Sequence, residues 1–177
     1  YPDVPLSDLS KAALLSAHEV VVSPGVSLPS AWVVELMAAG VSVVSDIDVF
    51  LREVSVPVIA VTGSNGKTTV TTLIGDVLRE AGYTVAVCGN IGEPVLTTLS
   101  GPAPDYYVIE LSSFQLASTS TLSGHTAVLL NLTEDHLDRH ESMASYCAAK
   151  QRIFDGACRA VVNRDQPETW SGVTLPM

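Results

Sequence analysis

The residues Gly63-Ser64-Asn65-Gly66-Lys67-Thr68-Thr69 sit between an apolar run, Val58-Ile59-Ala60-Val61, and a periodic segment carrying Val70, Leu73, Ile74, Val77 and Leu78. The run has the β-branched and small character of a parallel strand covered on both faces. A strand that turns through two glycines into a helix suits phosphate, because first-turn N–H groups lack intrahelical partners and the helix dipole favours negative charge there. Lys67 has the reach to meet outer phosphates, and the Thr68 hydroxyl suits Mg²⁺. The generic phosphate loop places its first glycine where Val61 stands, so this loop is a shortened variant. The alternative is an ordinary glycine-rich turn followed by a chance Gly-Lys-Thr.

Four further stretches carry useful chemistry. Glu110 closes an apolar strand with no basic neighbour in sequence, so it either serves a cation or takes hydrogen bonds from loop amides. With Thr68 and nucleotide phosphates it forms an oxygen donor set of the kind Mg²⁺ prefers. His136 follows another apolar strand within Glu134-Asp135-His136-Leu137-Asp138, where it suits a metal or a substrate, or the acidic neighbours form a solvated face. His18 and His125 read as structural. Lys150 lies among Ala148, Ala149, Ile153 and Phe154, and by residue type alone it reads as a snorkelling lysine. Ser23-Pro24-Gly25 follows a strand and is either a ligand loop or a tight turn.

These groups need a frame. Strands are expected at Glu19–Ser23, Val41–Val44, Val58–Thr62, Thr84–Cys88, Tyr106–Leu111, Ala127–Leu132 and Ala160–Val162. Helices are expected around Leu9–Ala17, over Ser30–Ala39 with Trp32, Val33, Leu36 and Met37 on one face, over Asp46–Glu53, after Lys67, and over Ser142–Phe154. Alternation of this kind implies an α/β fold with a parallel, doubly wound sheet. Ligands bind beyond the carboxyl ends of such strands, and Lys67, Asn90, Glu110 and His136 all fall there. One α/β pattern ends near Ser45 and a second begins, so a boundary is expected at that point.

Composition narrows the classes. The 177 residues carry a net charge of −10, which argues against a nucleic-acid partner. No apolar run approaches the roughly 18–20 residues that span a bilayer, and no signal peptide is visible. Cys88, Cys147 and Cys158 are odd in number and scattered, as expected of reduced thiols in a cytosolic protein. The chain opens on Tyr1-Pro2-Asp3 and reads as a piece of something longer.

Thr62–Thr69, Gly89-Asn90-Ile91-Gly92, Glu110-Leu111-Ser112-Ser113-Phe114-Gln115-Leu116, Asn131–His140 and Tyr146-x-x-Ala149-Lys150 occur in order at familiar spacings. Together they resemble the Mur ligase family, the ATP-dependent amide ligases of peptidoglycan precursor synthesis. Glu110–Leu116, Gly89–Gly92 and the Ser23-Pro24-Gly25 loop are similar to the branch that adds D-glutamate to UDP-N-acetylmuramoyl-L-alanine. The neighbouring branch has His where Phe114 stands. The competing classes are another ligase of this type, folylpolyglutamate synthase included, and a nucleotide-binding module without catalysis. Phe114-Gln115-Leu116 argues against the first, and the set Lys67, Glu110, His136 and Lys150 against the second.

The resemblance implies a P-loop-type ATPase domain over 46–177, incomplete, preceded over 1–45 by the end of a Rossmann-like domain for the UDP-substrate. A C-terminal domain for the incoming amino acid is expected to be absent from this chain. It implies that Gly63, Ser64, Asn65, Gly66, Lys67, Thr68 and Thr69 bind ATP, and that Ser23, Gly25, Gly89, Asn90, Ser112 and His136 face the UDP-substrate. Thr68, Glu110, His136 and Lys150 are then expected at two Mg²⁺ sites, with Lys150 carbamylated by CO₂. Lys67, His136 and Lys150 are the expected catalytic residues, in a monomer of the bacterial cytoplasm.

Overall fold

The computed structural model describes residues 10–23, 26, 30–120, 122–134, 140 and 142–174. After the short helix α1 (Lys11–Leu15), strand β1 (Glu19–Val22), helix α2 (Ser30–Ala38) and strand β2 (Ser42–Ser45) form a β-α-β unit. The two strands pair in parallel with Val20 opposite Val43. Val20, Leu36 and Val41 make its small core. Met37, expected on the buried face of α2, is exposed instead, and Leu36 alone is fully enclosed there among the described residues.

Helix α3 (Asp46–Glu53) starts where β2 ends. Ser45 accepts the Asp48 N–H on its hydroxyl at 3.0 Å, and the Asp48 carboxylate accepts the Ser45 N–H at 2.8 Å. This reciprocal box satisfies the first-turn donors and sets the helix start. Asp48 is buried and also accepts the Ser120 N–H and hydroxyl. Ile47 and Phe50 on the same helix enter the main core.

The larger sheet contains β3 (Val58–Thr62), β4 (Val85–Gly89), β5 (Tyr106–Glu110), β6 (Thr126–Leu129) and β7 (Arg159–Val162). Its spatial order is β4-β5-β3-β6-β7, and every pair is parallel. Side chains alternate across it as the pleat requires. Val58 and Ala60 join Ile109, Leu116, Leu129, Ile153 and Phe154 on the face covered by α3, α5 (Ser113–Ser118) and α6 (Met143–Gln151). Val61, Val108 and Val128 face α4 (Lys67–Glu80) through Val70, Ile74 and Leu78. Helices on both faces make the sheet doubly wound, as expected.

Several differences have plain causes. Leu73 and Val77 are 57% and 59% exposed, because α4 rests on the sheet through Val70, Ile74 and Leu78 with the buried Thr71 and Gly75 between them. A Cβ on Gly75 would lie 2.5 Å from Val87 Cγ2, so the helix comes too close for a larger residue. Between β4 and β5 only a 3₁₀ turn, Thr97–Ser100, replaces the crossover helix. β6 stops at Leu129 rather than Leu132, because the chain beyond it turns to hold the phosphate loop. α5 was not anticipated, although Ser112 and Gln115 cap it reciprocally. Cys88, Cys147 and Cys158 are free thiols, and burial pushes Cys88 up to about 11. Among the described residues no helix is long and apolar enough to cross a membrane.

His125 is buried beside β6, with Nε2 2.7 Å from the Ile153 carbonyl. A carbonyl only accepts, so Nε2 carries the proton. Nδ1 makes no hydrogen bond of good geometry among the described residues, and burial lowers the pKa against the opposing influence of the Ile153 and Ser123 backbone and of Asp155. A depressed folded pKa makes stability complete above the unfolded value of about 6.5 and progressively lost below it. The melting temperature is therefore expected to fall between pH 7 and pH 5, and to fall less in His125→Gln. An undiminished fall in that variant would assign the effect to other groups.

Candidate phosphate-loop site

Strand β3 lies at the centre of the larger sheet, so the loop that leaves it is flanked by the ends of β5 and β6. Gly66 takes φ +79°, the left-handed conformation that glycine adopts without strain, and serves as N-cap of α4 with no side-chain cap bond. The first-turn amides of Lys67, Thr68 and Thr69 thus open onto an exposed surface, the arrangement that receives anions.

The loop is tied mainly to the segment after β6. The Asn131 carbonyl accepts from Ser64 N, and its side chain accepts from Asn65 N and donates to the Asn65 carbonyl, each at 2.9 Å. Asn65 Nδ2 donates to Thr133 Oγ1 at 3.0 Å. Lys67 folds back over the loop, its Nζ donating to the Gly63 carbonyl at 2.9 Å and the Ser64 carbonyl at 3.0 Å.

Glu110 ends β5 with 1% of its surface exposed. Oε2 accepts the Thr68 hydroxyl at 2.8 Å, and Oε1 accepts Asn90 Nδ2 at 2.9 Å. Both donors are neutral, and among the described residues no cation pairs with the carboxylate. A buried carboxylate held only by neutral donors beside a phosphate loop retains its demand for a cation. The Thr68 and Glu110 oxygens are hard donors of the type Mg²⁺ takes, so the residues fit that ion. No cluster of three or more His, Cys, Asp and Glu side chains is arranged for a metal among the described residues.

Gly89 brings Asn90 against this carboxylate. A Cβ at Gly89 would sit 2.4 Å from the Glu110 carbonyl, and the same carbonyl accepts Asn90 N at 2.9 Å. Ser112 caps α5, accepting Gln115 N at 3.2 Å. Ser23 follows β1 in the smaller sheet, where its carbonyl accepts from Val26 N at 2.9 Å. Gly25 and His136 lie outside the described residues.

Lys150, on α6, is 2% exposed rather than snorkelling. Its Nζ donates to the Gly63 carbonyl at 2.9 Å, the oxygen that Lys67 also uses, and lies 3.4 Å from Thr62 Oγ1. Three residues of the sequence motifs that carried no assigned role take part. Asn131 stitches the loop, Tyr146 reaches Ser64, and His140 stacks on Phe114 with ring centroids 5.1 Å apart. Tyr146 precedes Lys150 by four positions on one helix, and that spacing puts both on one face. A cavity of about 410 Å³ between the small sheet and α3, bordered by Glu19, Asp48, Arg52 and Ser120, shares no residue with this site.

The rim thus combines a glycine loop opening a helix N-terminus, two lysines and a buried carboxylate, residue types that suit phosphoryl transfer. Residues 61–174 match the model of the Mur ligase middle domain. A protein of Coxiella burnetii (strain Dugway 5J108-111) named UDP-N-acetylmuramoylalanine--D-glutamate ligase is 49% identical over 172 residues, 96% of this chain and 39% of that protein. One of the same name from Vibrio parahaemolyticus serotype O3:K6 is 52% identical over 164 residues, 93% of this chain and 37% of that one. The present chain therefore spans under half the length of these relatives. The solved structure of UDP-N-acetylmuramoyl-L-alanyl-D-glutamate--2,6-diaminopimelate ligase aligns over 85% of this chain and 41% of its own, with TM-score 0.57 and 22% identity, a likeness of fold.

Proposed function

Because this chain belongs to the Mur ligase family, we propose that the whole protein is an ATP-dependent ligase that joins D-glutamate to UDP-N-acetylmuramoyl-L-alanine in peptidoglycan precursor synthesis. The names of the relatives at 49% and 52% identity support the choice of substrates. The observation that carries the catalytic reading is the Glu110 carboxylate, buried and hydrogen-bonded to Thr68 next to the loop. A module that only bound nucleotide would need the loop and not this carboxylate.

In this reading residues 46–177 are the front of the ATPase domain and 1–45 the end of the UDP-substrate domain. Loop amides of residues 63–69 hold the ATP phosphates. Asn90 and Gly89, with Ser23, Gly25, Ser112 and His136, face the UDP-substrate. The substrate carboxylate attacks the γ-phosphorus, an O–P bond forms, and the bond to ADP breaks. Lys67 exchanges its two loop carbonyls for the transferring oxygens and stabilises their charge. The D-glutamate amine then attacks the acyl carbon, phosphate leaves, and a proton passes to solvent. Thr68 and Glu110 would hold one Mg²⁺ and Glu110, His136 and a carbamylated Lys150 a second. When bound, these ions supply positive charge that offsets repulsion between anionic reactants.

Assaying ADP release by the whole protein tests this. Release is expected to require ATP, UDP-N-acetylmuramoyl-L-alanine and D-glutamate together, with one amide formed per ADP. Equal release without D-glutamate, or amide formed equally well with another amino acid, would reject the assignment.

A further inference from the structure

Tyr146 is fully enclosed, where phenylalanine would pack as well, so its hydroxyl requires a partner. That partner is Ser64 Oγ, 2.9 Å away in the phosphate loop. Ser64 Oγ also accepts the Thr133 N–H at 3.0 Å and donates to the Thr133 carbonyl at 3.1 Å. A serine hydroxyl has one proton and two lone pairs, so with these two contacts made, the proton between Ser64 and Tyr146 comes from Tyr146. The junction is saturated. The carbonyl of the same Ser64 accepts Lys67 Nζ at 3.0 Å.

The tyrosine ring meets the other lysine. Lys150 Nζ stands 4.9 Å from its centroid, so the ring face packs against this side chain whether the amine is free or modified. The edge of the ring meets His140 at 5.3 Å and 63°, and His140 Nε2 is 2.9 Å from Ser113 Oγ on α5. One side chain on α6 therefore touches a loop residue, the buried lysine and the aromatic rim.

We propose that Tyr146 is a positioning residue for nucleotide binding. Its hydroxyl fixes Ser64, and with it the loop backbone that meets phosphate, while its ring braces Lys150 beneath the same loop. The proposal rests on reading residues 63–69 as the nucleotide loop. It assigns the hydroxyl to ATP affinity and not to the chemical step, since the hydroxyl acts through Ser64 and touches no reacting atom.

Tyr146→Phe in the whole protein removes the hydroxyl and keeps the ring. The KM for ATP is expected to rise about fivefold, the order of one hydrogen bond, with kcat within about twofold of the parent. Affinity for a fluorescent ATP analogue, measured without the other substrates, is expected to fall in parallel. Ser64→Ala is expected to weaken binding at least as much, and adding Tyr146→Phe to it to change nothing further. Melting curves check that each variant folds. If the parent binds ATP and Tyr146→Phe binds it equally well, loses only kcat, or adds its full effect to Ser64→Ala, the role of Tyr146 is overturned while the functional reading stands. If the parent binds no ATP, both fall.

Discussion

Lys67→Ala in the whole protein is expected to lower ATP turnover by at least about a hundredfold, the scale of removing one preorganised donor from a transition state. The ammonium rests on the Gly63 and Ser64 carbonyls, at 2.9 Å and 3.0 Å, directly beside the open amides of the loop. Those carbonyls are neutral acceptors, and a phosphate carrying negative charge competes well for the same donors. The charge that develops on the transferring group is thus met by a cation already within reach. Folding depends little on this side chain, because the loop is also held by Asn131, Thr133 and Tyr146 through bonds that do not involve it. The melting temperature is expected to move by no more than a few degrees, as for the loss of one or two partly exposed hydrogen bonds. Phosphate release within tenfold of the parent would refute the role.

How far the sequence disclosed this arrangement varies by element. The bounds of α3, Asp46–Glu53, were legible because the Ser45–Asp48 box is a local signal that tertiary packing did not override. The inner strands β3, β5 and β6 of the larger sheet were legible because strands covered on both faces are apolar throughout. The apolar positions of α4 divide. Val70, Ile74 and Leu78 pack on the sheet as their spacing suggests, whereas Leu73 and Val77 are exposed, and the buried Thr71 and Gly75 allow the close approach. α5 carried an equally local capping signal in Ser112 and Gln115, but its six residues are too few for periodicity to show.

The site follows the same division. Lys67, Thr68 and Glu110 were legible because Glu110 ends a strand and the two others open the helix after one, and a parallel sheet brings such ends to one rim. Residues 42 positions apart, Thr68 and Glu110, meet for that reason. The Asn131 clasp and the Tyr146–Ser64 bond depend on which strands are neighbours, with β6 beside β3, and no local pattern encodes strand order. Lys150 shows the limit of residue type. Its small and apolar neighbours fit a snorkelling lysine as well as a buried one, and only the packing of α6 against the loop distinguishes them.

That packing gives Lys150 the second large expected effect. Lys150 and Lys67 each place Nζ 2.9 Å from the Gly63 carbonyl, so two basic nitrogens converge on one oxygen in a largely enclosed place. Two ammonium ions so arranged repel, and burial adds to the cost. The carbamylation proposed above would relieve the conflict. The lone pair of the neutral amine attacks the carbon of CO₂, a C–N bond forms, and one N–H proton passes to solvent. The product carries an anionic oxygen pair while keeping one N–H, enough to maintain the bond to Gly63. On this reading Lys150→Arg, which keeps the charge and cannot form the adduct, is expected to lose activity by about a hundredfold or more. Lys150→Ala is expected to lose as much and to regain part of it with acetate, a small carboxylate able to enter the vacated space. A readout independent of activity is ¹³C NMR in labelled bicarbonate, where the parent is expected to show a carbamate carbon that Lys150→Arg lacks. A fully active Lys150→Arg, or a parent without that resonance, would exclude the carbamate and leave Lys150 as a cation that braces the loop.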